Sequence, residues 1–202
     1  MKQLVGGAIA RFAQFIAGAT IHGDRPSDTR QRIYFANHTS HLDFVVIWAA
    51  LPPHVRASTR PVAAKDYWNK PGVRGYLASE VFNAVLIERD RAASSADPID
   101  VLVDGLGDAH SLIVFPEGTR GSGSDPGPFK SGLYRVALRR PDVDLVPVLI
   151  DNLNRILPKG EYTPVPLLSH IAFGQPIRVA EGESKDAFLS RARSAVLELR
   201  QW

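Results

Sequence analysis

Ile33-Tyr34-Phe35-Ala36-Asn37-His38-Thr39-Ser40-His41-Leu42-Asp43 begins as an apolar run and turns, without a spacer, into side chains able to do chemistry. A second stretch is built the same way. Ser111-Leu112-Ile113-Val114-Phe115 leads directly into Pro116-Glu117-Gly118-Thr119-Arg120-Gly121. Both apolar runs are short and rich in branched or aromatic residues, the pattern of buried strands. In an open, mostly parallel α/β sheet, residues just past the carboxyl ends of the strands line one crevice. If these two strands are parallel, a His/Asp pair and an acid-plus-Arg loop meet there. One string can supply a general base and the other an anion clamp, the skeleton of a group-transfer site for a phosphorylated substrate.

The rest of the chain supports a single layered domain. Its 202 residues suffice for a substantial core, and 45% hydrophobic with 22% charged residues is ordinary for a globular protein. Strand-like runs at 60–65, 82–88, 144–150 and 171–179 alternate with helical segments at 44–50, 71–79, 97–109, 131–139 and 183–200. That alternation predicts an α/β fold with a mostly parallel central sheet flanked by helices. Asp97 followed by Pro98 marks a helix start, and Pro52-Pro53 ends the helix after Asp43. The stretch 152–166 reads as irregular. No cysteine is present, which excludes disulfides, thiolate metal sites and Cys nucleophiles. The formal net charge of +3 is mild and its basic residues are scattered among acids, so no nucleic-acid partner is expected.

At the start, Leu4, Val5, Ala8, Ile9, Phe12, Phe15, Ile16 and Ala19 recur at helical spacing, with Arg11 and Gln14 opposite. A bilayer span needs about 20 mostly apolar residues, and Arg11 interrupts this run as it would a secretory signal. An amphipathic helix over 1–21 is expected, with residues 22–202 as the main domain. Packing on that domain and lying in a lipid interface both fit these residues.

His38 and Asp43 are the candidate catalytic pair. Histidine is the usual base near neutral pH, and a carboxylate on its other ring nitrogen fixes the tautomer. Ser40-His41-Leu42-Asp43 also fits a capping box, in which Asp43 serves only its own helix. A metal site built on His38 and His41 lacks apparent further ligands. In the second string, Gly118 and Gly121 permit a sharp turn whose amides can face an anion. Arg120 offers a planar fork for phosphate oxygens, and Glu117 either orients that arginine or binds a hydroxyl. Lys65 and Arg89 each follow an apolar run and fall at the same edge.

In order along the chain, four blocks resemble the glycerophospholipid acyltransferases typified by bacterial 1-acyl-glycerol-3-phosphate acyltransferase. They are Asn37 to Asp43, similar to the family's His-x4-Asp motif; Val85-Leu86-Ile87-Glu88-Arg89; Phe115 to Arg120; and Val146-Pro147-Val148-Leu149-Ile150. Val62-Ala63-Ala64-Lys65 and the turn Phe129-Lys130-Ser131-Gly132 also resemble family features. The second block has Glu88-Arg89 where Asp-Arg is more usual. The resemblance implies that His38, held by Asp43, deprotonates the hydroxyl of lysophosphatidic acid as it attacks an acyl thioester, giving phosphatidic acid without an acyl-enzyme. It implies that Arg89, Glu117, Gly118, Thr119 and Arg120, with Lys65, form the acceptor's phosphate site. No metal or cofactor is implied, and acyl-CoA or acyl carrier protein is the donor substrate. It also favours the interfacial reading of the first helix, and with it a peripheral or monotopic place on the cytoplasmic face of the cell membrane. Three other readings stay open: another acceptor (a different lysophospholipid, an ornithine lipid or a glycolipid), a non-catalytic lipid-binding module, and a metal-dependent hydrolase using His38, His41 and Asp43.

Overall fold

The strand Arg32–Ala36 (β2) is buried at every position and sits in the middle of a seven-stranded sheet. Its neighbours on either side are Ser111–Val114 (β5) and Asp144–Asp151 (β6), both parallel to it. Burial on both faces explains why these segments read as continuous apolar runs instead of alternating ones. The sheet adds Thr20–Gly23 (β1), Thr59–Ala64 (β3), Val85–Ile87 (β4) and His170–Phe173 (β7), in the order β1-β7-β6-β2-β5-β3-β4. Every pairing is parallel except β6 with β7. The computed structural model describes residues 2–17, 20–40, 42–69, 71–88, 96–121, 125–151 and 170–201. Arg89, His41 and the stretch 152–166 lie outside the described residues, as do the side chains of Leu4, Phe15, Ile16 and Ala19.

Strand alternation sends side chains to two cores. Tyr34 and Ala36 of β2 face one layer, formed by Lys2–Ala17 (α1), Asp43–Ala50 (α2) and Pro53–Ala57 (α3). Ile33 and Phe35 face the other, formed by Pro98–Leu106 (α6), Gly132–Arg139 (α7) and Lys185–Glu198 (α8). Ile33, Tyr34 and Phe35 are all fully buried, and each such side chain contributes about 1.5–3 kcal/mol by leaving water. Between β3 and β4 lie two one-turn helices, Lys65–Trp68 (α4) and Val73–Tyr76 (α5), and a π turn at Leu77–Val81. Asp97 caps α6 as its sequence suggests, its carboxylate accepting the Ile99 amide at 2.9 Å with Pro98 in the first turn.

Several elements differ from the sequence expectations. β1 is a half-exposed edge strand whose polar residues gave no apolar signal; pairing with β7 makes it a strand. Lys65 opens α4 instead of closing β3. The extended stretch at 171–179 is β7 followed by an isolated pairing of Ile177 with Leu145. The first helix is present, and it packs: Ala10 is buried in the α2 layer with Ile9 and Ala13 against it. Gly6 allows the approach, because a Cβ there would stand 3.3 Å from the Trp48 ring.

Candidate active site

Parallel pairing of β2 with β5 places Phe35 beside Val114, so the chain leaves both strands at the same edge. Residues 37–43 and 115–121 are therefore neighbours, and their hydrogen bonds tie them into one unit. Asn37 extends β2 by a side chain: its amide donates to the Ile150 carbonyl and its oxygen accepts the Ile150 amide, each at 2.8 Å. His38 is then gripped through its backbone by the second loop. Its N–H donates to Glu117 Oε1 at 2.7 Å, and its carbonyl accepts the Gly121 amide at 2.8 Å.

The His38 ring is held as firmly. Nδ1 lies 2.7 Å from Oδ2 of the fully buried Asp43, and the ring stacks on Phe115 with centroids 4.2 Å apart. The same Oδ2 accepts the amides of Thr39 at 2.6 Å and Ser40 at 2.9 Å. The capping box does not form as expected, because Ser40 Oγ accepts the Leu42 amide at 3.3 Å and not that of Asp43. The carboxylate closes the turn before α2, and it is the ring's partner. Because Asp43 opens α2, this turn and the ring are fixed by one group. Asp43 Oδ1 is buried with no hydrogen-bond partner among the described residues. A hydrogen bond from Nδ1–H to the carboxylate fixes the tautomer that leaves Nε2 as the basic nitrogen.

A cavity of about 560 Å3 opens beside the His38 ring. Phe44, Tyr67 and Trp68 form one wall, and the cavity continues between the sheet and the α6–α7 layer, against Ile99, Leu102, Leu133 and Val136. Gly118, Arg120 and Lys130 also line it, so the structure brings His38, Gly118 and Arg120 to one space.

Other residues predicted for the site stand elsewhere or are engaged. Glu117 is buried, and both its oxygens accept backbone amides, Oε1 from His38 and Oε2 from Gly127 at 2.8 Å. Lys65 is half-exposed and pairs through Nζ with Glu88 at 2.7 Å. Thr119 is exposed and does not line the cavity. Gly118 does take the left-handed conformation, φ 71°, that its place in the turn suggested. Yet its amide donates to the Phe115 carbonyl at 3.0 Å, and that of Gly121 is engaged by His38.

Sequence reasoning placed Asn37 and Phe115 in the matched blocks without showing what they touch: the Asn37 side chain bridges to Ile150 and the Phe115 ring stacks on His38. On its apolar run alone, Phe115 reads as core. Among the described residues, no group of three or more His, Asp or Glu side chains is placed to hold a metal ion.

A mostly parallel sheet that delivers a histidine–aspartate pair and a basic loop to one apolar cavity defines the class of domain. The chain belongs to the Acyltransferase family, whose sequence model matches residues 18–151. It is similar to the 1-acyl-sn-glycerol-3-phosphate acyltransferases of Limnanthes alba (30% identical over 172 residues, 83% of this chain and 58% of that one) and Cocos nucifera (27% over 187 residues, 90% and 58%). The enzyme of that name from Salmonella typhimurium is 28% identical over 145 residues, covering 67% of this chain and 54% of its own. The chain spans a little over half the length of these relatives. In structure it resembles the 1-acyl-sn-glycerophosphate acyltransferase PlsC of Thermotoga maritima, with a TM-score of 0.75, 22% identity, and coverage of 99% of this chain and 80% of that one.

Proposed function

We propose that this protein transfers a fatty acyl group from a thioester to the free hydroxyl of lysophosphatidic acid, forming phosphatidic acid. The observation that carries the reading is the 2.7 Å contact between His38 Nδ1 and buried Asp43 Oδ2, at the mouth of an apolar cavity also lined by Arg120. The names of the relatives supply the acceptor.

Nε2 of His38 takes the proton of the acceptor hydroxyl as its oxygen attacks the thioester carbonyl carbon. The C–O bond forms, negative charge develops on the carbonyl oxygen, and Asp43 stabilises the imidazolium. Collapse of the intermediate breaks the C–S bond, and the thiolate leaves with the proton returned from Nε2. Phe115 and Asp43 limit ring motion, so base and hydroxyl meet with little further ordering. Effective molarity of this kind supplies a large part of such a reaction's barrier reduction. The apolar lining from Ile99, Leu102, Leu133 and Val136 suits an acyl chain, and Arg120 suits the acceptor phosphate. In this reading Arg89 belongs to the acceptor site as well, no metal or cofactor takes part, and the donor is acyl-CoA or acyl carrier protein. The protein works as a peripheral or monotopic enzyme on the cytoplasmic face of the membrane, with α1 (Lys2–Ala17) as its docking helix and the rest of the chain, from β1 onward, as the catalytic domain; the helix expected over 1–21 stops before Thr20 and Ile21, which pair with β7.

The test is acyl transfer followed by mass spectrometry, with mixed liposomes, both donor types and a panel of lyso-acceptors. Phosphatidic acid formation that disappears in His38→Ala is expected. Product on another acceptor alone would replace the substrate and keep the chemistry. No transfer to any acceptor by folded protein would contradict the reading.

A further inference from the structure

Gly118 and Lys130 are locked together in a way that the turn alone does not require. A Cβ on Gly118 would stand 2.6 Å from Lys130 Nζ and 3.1 Å from both Cδ and Cε. The lysine stem therefore lies flat across the bare face of the glycine, where any other residue would displace it. An exposed lysine ordinarily extends into water, where its rotamer entropy is kept and its ammonium fully hydrated. Here its backbone is pinned instead, the Lys130 amide donating to the Pro116 carbonyl at 2.9 Å. The loop between is closed by the Gly127 amide on Glu117 Oε2.

Both Lys130 and Arg120 line the cavity that holds His38, and neither side chain has an ion-pair or hydrogen-bond partner among the described residues. Glu117, the nearest acid in sequence to Arg120, has both oxygens on backbone amides, and Asp125, the nearest to Lys130, pairs with Arg200. Of the acids that line the same cavity, Asp66 and Glu88, neither pairs with these two cations and Glu88 is held by Lys65; two cations facing one cavity become more favourable when an anion enters between them. The phosphate cradle expected from loop amides is also absent at Gly118 and Gly121, whose N–H groups bind carbonyls.

We propose that Lys130 binds the acceptor's phosphate monoester together with Arg120, and that Gly118, whose positive φ already calls for glycine, also leaves room for the Lys130 ammonium. This rests on the transfer reading above but differs from it in assigning the second cation to the far end of the loop. Arg120 supplies a planar fork, Lys130 a compact charge on the other side.

The experiment compares wild type, Lys130→Met and Lys130→Arg. Steady-state transfer is measured with acceptor and donor varied in turn, alongside calorimetric titration with sn-glycerol 3-phosphate at low salt. The expected result for Lys130→Met is a rise of about tenfold in acceptor KM, the loss of one charged hydrogen bond, with donor KM unchanged. Lys130→Arg should recover most of it. Glycerol 3-phosphate should bind Lys130→Met correspondingly more weakly. An unchanged acceptor KM, or a rise in donor KM alone, would overturn the assignment, the latter placing Lys130 against the donor's phosphates. Should the wild type transfer nothing, the transfer reading fails by itself, and the titration still decides: equal affinity in wild type and Lys130→Met would overturn the role of Lys130.

Discussion

Glu117 shows how far a residue's chemistry depends on what its atoms already touch. In sequence it stands beside Arg120 and invites a role with the substrate. In the structure its two oxygens bind the amides of His38 and Gly127, making it the staple between the histidine and the loop. Gln at this position keeps one acceptor oxygen and turns an NH2 toward one of those amides. Glu117→Gln is therefore expected to destabilise the fold by about 1–3 kcal/mol, the cost of leaving a buried donor unmet. That corresponds to a melting shift of roughly 2–4 °C per kcal/mol for a chain of this size. Its kcat should fall because the His38 backbone is released, while acceptor KM stays near wild type. An unchanged melting temperature with a raised acceptor KM would return Glu117 to the substrate. Asp43 shows the complementary case: one oxygen accepts the Thr39 and Ser40 amides that close the turn before α2 and also meets the His38 ring.

The helices that line the cavity depend on close contacts that sequence does not display. Gly105 in α6 faces β4 so tightly that a Cβ would stand 2.6 Å from a Val85 methyl. Gly105→Ala is expected to cost about 1–3 kcal/mol through this overlap, despite the better helix propensity of alanine. Chemical denaturation is the check, and a variant as stable as wild type would mean that α6 can shift away at no cost. At this scale the sequence was readable where burial was two-sided. β2, β5 and β6 announce themselves as unbroken apolar runs, and Asp97-Pro98 announces α6. Legibility was lost where backbone pairing decides. β1 is polar and half-exposed, and α4 is one turn long, so neither leaves a periodic signal. The positions of His38, Asp43 and Arg120 were readable from strand ends. That Lys65 turns to Glu88, and that Lys130 folds back over Gly118, depends on loop geometry set by distant hydrogen bonds.

Across the whole molecule, α1 joins the core through Gly6, Ile9, Ala10 and Ala13 while Phe12 stays 65% exposed. α1 also packs on the π turn that continues α5, and α5 exposes Val73 at 75% and Tyr76 at 42%. No described helix is long and apolar enough to cross a membrane. Packing and surface docking are therefore compatible, with one side of α1 in the protein and Phe12 on the other. Phe12→Asp with Val73→Asp should reduce co-sedimentation with anionic liposomes about tenfold, as expected when an apolar side chain no longer enters lipid. Unaltered sedimentation would leave α1 as a core helix only.

The most direct measurement is the rate of phosphatidic acid formation by wild type and His38→Ala at saturating donor and acceptor, with melting curves for both. A fall of about 10²–10⁴-fold at an unchanged melting temperature is the predicted result, the range a positioned general base supplies. Turnover in His38→Ala within a few-fold of wild type would contradict the account.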